Sequence, residues 1–158
     1  MRIQLGDFND LQVQNLLRIH LQGMHATSPI ENSFALDLTG LQKPNIDFYT
    51  LWQDQVLLAC GAIQQLFPTH SELKPMRTHP EHLRKGAATQ ILQHLSHIAK
   101  LNQYQTVSLE TGTHASFEPA ITLYKKFGFH KGEAFSDYED SEFNQFFHLN
   151  LVTHQKSK

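Results

Sequence analysis

Two segments near the middle of the chain are rich in apolar, β-branched and aromatic residues. They cover residues 46–52 and 56–66, and the polar triplet Gln53, Asp54 and Gln55 separates them. Two such runs with a short polar connection are typical of an antiparallel β-hairpin, so the pattern predicts a hairpin here. Further strands are predicted at residues 2–5, 71–79, 106–110, 131–136 and 146–152.

Apolar residues recur at helical spacing in three other segments. The first helix follows a predicted N-cap near Asp7, the second covers about residues 83–101, and the third covers residues 116–127. Pro119 fits the first turn of the third helix, where amides lack intrahelical partners. Gly128 suits its left-handed C-terminal cap.

Two segments do not follow either pattern. Residues 25–44 mix turn-forming residues with apolar ones, and we expect a loop with one or two irregular helical turns. Pro75 interrupts the strand predicted at residues 71–79. Because proline cannot donate to a sheet ladder, we expect a bulge or an edge position there.

Length and composition predict one globular domain spanning residues 1–158. The net charge is −2 and the basic residues form no dense run, so we expect no nucleic-acid partner. The N-terminus lacks the apolar core of a signal peptide, and no apolar run approaches the ~20 residues needed to cross a bilayer. Cys60 is the only cysteine, which fits a reducing compartment. We therefore expect a cytoplasmic protein without a membrane partner.

The segment HLRKGAATQIL joins a predicted strand to a predicted helix. Arg84 and Lys85 precede Gly86, and Ala87 and Ala88 open the helix. The first amides of a helix lack partners and carry the positive end of its dipole, and small residues allow close approach. Neither a P-loop nor the three-glycine dinucleotide motif is present. The segment therefore predicts a pyrophosphate cradle, although by itself it is also compatible with a tight strand-to-helix connection.

The residues LRKGAA resemble the motif R/Q-x-x-G-x-G/A of the GNAT (Gcn5-related N-acetyltransferase) superfamily. The segments ELKPMRTHPEHLRKGAA, VSLETG and FEPAITLYKKFGF are similar to its consecutive elements over about residues 46–135. In particular, the chain resembles a bacterial group of poorly defined substrate. The resemblance implies an α/β (α+β) fold: a mixed, mostly antiparallel twisted sheet of six to seven strands, with a splayed parallel pair and about four flanking helices.

The resemblance also implies acetyl-CoA as cosubstrate, held mainly by backbone groups. The amide of Met76 would contact the acetyl carbonyl and that of Thr78 the pantetheine arm, between parallel strands at residues 71–79 and 106–110. The pyrophosphate would lie on the cradle, whose residues are Arg84, Lys85, Gly86, Ala87 and Ala88. Two positions depart from the family pattern: Leu83 replaces the usual Arg or Gln, and Phe117 replaces an Asn that often contacts the cofactor.

Two residues are candidate catalytic groups by the same resemblance. Tyr124 occupies the position of a tyrosine that protonates the leaving thiolate, but it also lies in an apolar helical stripe and could be a core residue. Glu72 precedes Gly86 at the offset at which histone-type members carry a glutamate base. The alternatives are a solvated carboxylate, paired with Lys74, and ordered water as the base.

The residues that would bind the acceptor amine are the least defined part of the predicted site. Glu110 follows a predicted strand and could bind an ammonium group, or it could accept hydrogen bonds from a turn at residues 111–113. Glu31, Asn32 and Ser33 lie in the loop that shapes the acceptor pocket in this superfamily, or they are plain turn residues.

The chain has 11 histidines. Because His94 and His97 lie on a polar helix face without a matching carboxylate, we expect a solvated face and no metal site.

These expectations converge on transfer of an acetyl group from acetyl-CoA to a small-molecule amine by direct attack within a ternary complex. One alternative is acetylation of a protein lysine or N-terminus. Another, suggested by Leu83 and Phe117, is a non-catalytic module that senses acetyl-CoA. The resemblance also implies a homodimer formed through the C-terminal strands.

Overall fold

The structure is a computed structural model that describes residues 1–24 and 38–151. Its strands are β1 (Arg2–Leu5), β2 (Ile46–Gln53), β3 (Val56–Phe67), β4 (His70–Thr78), β5 (Thr106–Gly112), β6 (His130–Gly132) and β7 (Asn144–Asn150). Its longer helices are α1 (Leu11–Met24), α2 (Ala87–Leu101) and α3 (Glu118–Lys126). Short 3-10 turns cover Pro80–His82 and Ala115–Phe117, and residues 38–41 form a helical turn.

Hydrogen bonds join the strands in the order β1-β2-β3-β4-β5-β7-β6. The β4–β5 pair is parallel, whereas the β1–β2, β2–β3, β5–β7 and β6–β7 pairs are antiparallel. The predicted fold class is therefore confirmed. The chain divides into two compact units, one formed by Met1–Gln64 and Lys74–Leu95 and the other by Gln65–Leu73 and Ser96–Lys158.

The first unit contains the predicted hairpin. Strands β2 and β3 pair along their length, and Asp54 in the connection has a φ of 56°. Helix α1 contributes Val13, Leu16 and Leu17 to a core shared with hairpin residues such as Trp52 and Cys60. Apolar periodicity in α1 and the hairpin thus predicts this core correctly.

The cap of α1 lies one turn later than predicted. Asp10 Oδ1 accepts hydrogen bonds from the amides of Gln12 (2.8 Å) and Val13 (3.2 Å). Asp7 Oδ1 instead accepts from the amide of Asn9 and closes the preceding turn. Both aspartates have cap chemistry, but only Asp10 directly precedes the first residue of the helix, Leu11.

Helix α2 begins at Ala87, not at residue 83 as predicted. Arg84 has a φ of 68° and Gly86 a φ of 78°, and neither value is compatible with a right-handed helix. Within the first unit, α2 approaches β3 closely at Gly61, where an added Cβ would lie 2.7 Å from Ile91 Cγ2. The tight loop before the helix therefore replaces the first predicted turn.

The second unit contains the parallel pair. In this pair, His70 lies opposite Thr106, Ser71 opposite Val107 and Glu72 opposite Ser108. The pairing of the two strands ends at Glu72. Strand β4 continues beyond it through Pro75 to Thr78, so Pro75 has the predicted edge position on the side that faces β5. Because Pro75 lies beyond the last residue pair with β5, no ladder hydrogen bond is required of it on that side.

The end of α3 agrees with the sequence. Pro119 lies in its first turn, although the α-helix starts two residues later than predicted, after a 3-10 turn. Gly128 has a φ of 101°, and the amide of Phe129 donates to the Tyr124 carbonyl (3.1 Å). This is the left-handed C-terminal cap that Gly128 predicts.

The last strands are shorter or shifted relative to the pattern. Strand β6 has only three residues, whereas six were expected, and β7 begins two residues earlier than predicted. An aromatic segment between β6 and β7, with Phe135 buried and Tyr138 partly buried, packs on Phe146. Its apolar residues account for the predicted longer strand.

Candidate functional site

The loop between the 3-10 turn and α2 forms a backbone concavity in the first unit. The amide of His79 donates to the Leu58 carbonyl of β3 (2.8 Å), and His79 Nδ1 accepts from the amide of Glu81 (3.1 Å). The exposed residues 83–86 then reverse direction with two positive φ angles. The start of α2 is thereby held at a fixed place beside β3.

The first amides of α2 are available to an anion. Gln90 donates to the Gly86 carbonyl (3.1 Å), so the amides of residues 87–89 precede the first helical hydrogen bond. No group among the described residues accepts from these three amides. An added Cβ on Gly86 would meet nothing within 4 Å, so the space in front of the loop is open. The residues present therefore fit a pyrophosphate.

Two exposed cations flank these amides. Lys85 Nζ lies 3.1 Å from His82 Nδ1, and Arg84 projects from its left-handed backbone position. Leu83, which replaces a polar residue of the family pattern, is 57% exposed. The loop thus carries positive charge, but position 83 contributes only an apolar side chain.

The other predicted cofactor positions lie in both units. Met76 and Thr78 are partly buried residues near the end of β4 and, two apart, share one face of the strand. Phe117 packs its ring on the end of β5, where a Cβ on Gly112 would overlap it. Its contact is therefore apolar and cannot replace the hydrogen bonds of an asparagine. The predicted cofactor contacts of all three stay predictions.

A row of polar side chains lies on one face of β4 and β5 in the second unit. Glu72 pairs with Ser108 in the parallel register, and Glu110 follows Ser108 on the same face. Glu72 is only 3% exposed, and its Oε2 accepts a 2.5 Å hydrogen bond from the Tyr138 hydroxyl. The alternative of a solvated carboxylate at Glu72 is therefore wrong.

Tyr138 lies near both carboxylates. Burial, the hydrogen bond to Glu72 and the charges of Glu72 and Glu110 all raise the pKa of its hydroxyl. Tyr138 is consequently a proton-bearing donor throughout the physiological range. Sequence reasoning missed it, because it lies in an irregular segment and its partner is 66 residues away.

Glu110 does not have the turn that the alternative interpretation required. Thr111 and Gly112 belong to β5 and pair with β7. Thr113 donates its amide to the Phe143 carbonyl (3.3 Å) and its hydroxyl to the Glu142 carbonyl (2.7 Å). That alternative is wrong, and the predicted role of Glu110 in acceptor binding stays a prediction.

Tyr124 is a buried residue of α3. Its side chain is 8% exposed and its ring lies 5.8 Å from that of Phe129. Burial raises the pKa of its hydroxyl to about 12, so the hydroxyl keeps its proton at neutral pH. The hydroxyl has no hydrogen-bond partner among the described residues. Both interpretations of Tyr124 are compatible with this position.

A chain of hydrogen bonds links β4, β5 and β7 on the same face. Ser108 Oγ lies 2.7 Å from His70 Nε2 and 2.7 Å from His148 Nδ1. His148 Nε2 lies 2.8 Å from the Glu133 carbonyl, which can only accept, so in the neutral ring Nδ1 accepts from Ser108. Burial, and then His148, lower the pKa of His70. No sequence pattern brings these residues together.

The two helix histidines differ from each other. His97 is exposed, as expected, but the expectation of a solvated position is wrong for His94, whose ring packs edge-on against Tyr49 at 4.4 Å. Within residues 1–24 and 38–151, no three His, Cys, Asp or Glu side chains form a group able to hold a metal ion. Glu31, Asn32 and Ser33 lie outside the described residues.

Comparison with known proteins decides the family. A model of the "Acetyltransferase (GNAT) family" matches residues 12–129, well over half of the chain. The chain belongs to the GNAT family. This protein is therefore an acetyl-CoA-dependent N-acetyltransferase, and the predicted family, enzyme class and cosubstrate are confirmed.

Two bacterial relatives are similar over nearly their whole length. The GNAT chain is 46% identical over 138 residues to the uncharacterized N-acetyltransferase YsnE of Bacillus subtilis strain 168, covering 87% of this chain and 91% of that protein. It is 40% identical over 149 residues to the uncharacterized N-acetyltransferase YedL of Escherichia coli K12, covering 94% of each. Neither name specifies an acceptor.

A solved structure shares the fold. A Bacillus subtilis acetyltransferase crystallised in complex with CoA superposes with a TM-score of 0.71 at 18% identity, covering 95% of this chain and 98% of that one. This likeness supports the GNAT fold alone.

Among the described residues, no helix is both long enough and apolar enough to cross a membrane.

Proposed function

We propose that this GNAT enzyme transfers the acetyl group of acetyl-CoA to the primary amine of a small-molecule acceptor by direct attack within a ternary complex. The observation that carries the proposal is the buried Glu72, held by Tyr138 on a strand face that also carries Glu110. Two carboxylates on one face favour a cationic acceptor. Because Glu72 is enclosed, the amine must be at the end of a slender group.

The cosubstrate is bound mainly by backbone amides of the first unit. The amides of residues 87–89 bind the pyrophosphate, and Arg84 and Lys85 neutralise its charge. Gly86, Ala87 and Ala88 allow close approach. The amides of Met76 and Thr78 bind the acetyl carbonyl and the pantetheine arm, and Phe117 gives an apolar contact. The bound cosubstrate supplies an activated acyl carbon.

Glu72 removes the proton that keeps the acceptor unreactive. An alkylamine has a pKa of ~10.4 and is almost wholly protonated at neutral pH. Once Glu72 has taken the proton, the nitrogen lone pair attacks the acyl carbon and a C–N bond forms. General-base catalysis of this kind contributes about a hundred- to ten-thousandfold in rate. Glu110 orients the ammonium group before it loses the proton.

Two further groups complete the transfer. The Met76 amide donates to the oxygen that gains negative charge as the nitrogen adds. When the C–S bond breaks, the electron pair stays on sulfur and Tyr124 gives its proton to the thiolate. The nitrogen releases its second proton to solvent and becomes the neutral amide. Tyr124 then regains a proton from solvent, and Glu72 releases to solvent the proton it took. Glu31 and Ser33 belong to the loop proposed to shape the acceptor pocket.

An acceptor screen tests this proposal. The enzyme is incubated with acetyl-CoA and amino acids, polyamines, aminoglycosides or lysine-containing peptides, and free thiol is measured. We expect release with at least one class of small amine. Release with peptides alone would replace the small acceptor by a protein. Calorimetric binding of acetyl-CoA without release by any amine would support a sensor.

Domain organisation, assembly and location are part of the same proposal. The family match and the single buried thiol of Cys60 support one GNAT domain spanning residues 1–158 in the reducing cytoplasm. The resemblance supports a homodimer through the C-terminal strands. Light scattering on the purified protein tests the assembly, and a monomer would contradict it.

A further inference from the structure

A hydrogen bond joins the Tyr138 hydroxyl to the carboxylate of Glu72 in the second unit. The hydroxyl lies 2.5 Å from Glu72 Oε2, at the short end of the range for a hydrogen bond to a carboxylate. Bonds of this kind are roughly twice as strong as those between neutral groups. Glu72 is 3% exposed, so Tyr138 replaces solvation that burial removes from the carboxylate.

The ring of Tyr138 is fixed by aromatic neighbours. It meets Phe135 edge-on at 5.2 Å and lies 5.9 Å from Phe146, a buried residue of β7. The amide of Tyr138 donates to the Phe135 carbonyl (3.2 Å), and Ser136 between them has a φ of 55°. These contacts hold the ring in place, so the hydroxyl stays directed at Glu72.

Phe146 also connects the ring to the second carboxylate. It is the cross-strand partner of Glu110 in the β5–β7 ladder, so both side chains share one face with the Tyr138 ring. Among the described residues of β4 to β7 in the second unit, the titratable side chains on this face are those of His70, Glu72, Glu110, His130 and His148. The Tyr138 hydroxyl donates its hydrogen bond to Glu72.

We propose that Tyr138 is a positioning residue, which holds the carboxylate of Glu72 in the orientation needed to take the proton of the acceptor amine. This inference rests on the proposed function, in which Glu72 is the base. A purely structural strut between the aromatic turn and β4 would stabilise the fold, but its loss would slow transfer equally whether or not residue 72 is a carboxylate.

The substitution Tyr138→Phe removes the hydroxyl and keeps the ring. We expect kcat/KM to fall about tenfold to a hundredfold, the effect of losing a hydrogen bond to a charged group. Because a misoriented carboxylate takes the proton less efficiently, we expect the loss in kcat, whereas the KM for the amine changes little. The dissociation constant of acetyl-CoA, measured by calorimetry, stays unchanged.

Two further variants separate the alternatives. Tyr104→Phe is the matched control, because it removes a hydroxyl of the same unit that donates to Gln65 Oε1 (3.3 Å) instead of a carboxylate. We expect it to leave kcat unchanged. In a Glu72→Gln background, Tyr138→Phe should cause no additional loss of rate. All rates are measured at a temperature at which circular dichroism shows every variant folded.

Each failure has its own signature. A wild-type enzyme that transfers acetyl to no amine overturns the proposed function. A Glu72→Gln enzyme as fast as the wild type removes Glu72 as the base, whereas a slow Glu72→Gln enzyme with an unaffected Tyr138→Phe enzyme overturns only the role of Tyr138. A Tyr138→Phe substitution that slows the Glu72→Gln enzyme as much as it slows the wild type also overturns it.

Discussion

At the scale of single residues, burial sets the chemistry of two tyrosines in the second unit. Tyr124 is buried beside Phe129, and burial alone raises the pKa of its hydroxyl to about 12. Tyr138 gains its proton affinity from burial and from neighbouring carboxylates. Both hydroxyls stay protonated at neutral pH. Tyr124 is consequently suited to donate a proton to a thiolate, and Tyr138 to hold the base Glu72 by a hydrogen bond.

Substitution of Tyr124 by Phe tests the first of these roles. We expect kcat to fall about a hundredfold or more, because the leaving thiolate loses its proton donor. Acetyl-CoA affinity should not change. Tyr49→Phe, a partly buried tyrosine of β2, is the control and should leave turnover as it is. Steady-state kinetics with a saturating amine provides the measurement, and unchanged turnover in Tyr124→Phe would remove Tyr124 from the mechanism.

At the scale of secondary-structure elements, the loop before α2 and the polar row across β4, β5 and β7 have the clearest consequences. In the loop, a left-handed glycine leaves open space in front of helix amides. In the row, one serine joins two histidines from neighbouring strands. The first feature affects ligand binding and the second affects stability.

The substitution Gly86→Ala tests the loop. A Cβ at a φ of 78° costs about 1 kcal/mol of backbone strain, and it projects into the space proposed for the pyrophosphate. We expect a lower melting temperature and weaker binding of acetyl-CoA by calorimetry. Gly40→Ala is the matched control, since its Cβ also meets nothing within 4 Å but no positive φ is required there. Equal affinity in both variants would contradict the cradle.

The polar row predicts a pH dependence of stability. The pKa of His70 is lowered in the folded state, so the folded protein binds fewer protons there than the unfolded chain does. Stability from this group is complete above about pH 6.5, the unperturbed value, and is lost as the pH falls below it. Urea unfolding between about pH 7 and 5 should show this loss.

The variant His70→Gln should flatten that slope, because glutamine keeps a donor near Ser108 but does not titrate. His97→Gln, an exposed histidine, is the control and should leave the slope unchanged. A steep slope that persists in His70→Gln would assign the titration to another group.

At the scale of the whole molecule, the sequence predicts the order of elements and the family but not the contacts of the site. Apolar periodicity predicts the hairpin and α1 correctly, since each depends on local patterns. The sequence does not predict the loop at Arg84, because no local rule predicts an arginine with a positive φ. The contact between Tyr138 and Glu72, and the one between Ser108 and His148, join residues distant in sequence. Only the pairing of strands brings them together.

Binding of the cosubstrate should stabilise the folded chain. At a ligand concentration of 100 times Kd the stabilisation is about 2.7 kcal/mol, which corresponds to about 5–10 °C in melting temperature. S-acetylpantetheine, which lacks the pyrophosphate, should give a much smaller shift at the same concentration. Thermal unfolding with each compound is the measurement. Equal shifts in melting temperature would show that the pyrophosphate does not contribute to binding.

The seclusion of Cys60 has a practical consequence for these experiments. It is the only thiol of the chain and is 1% exposed within the core of the first unit. Aromatic disulfide reagents, which react with accessible thiolates, will therefore register liberated coenzyme against almost no background from the native enzyme. A cysteine introduced on the surface, for example at Leu83, would accept a fluorescent dye at that single place and report ligand arrival optically.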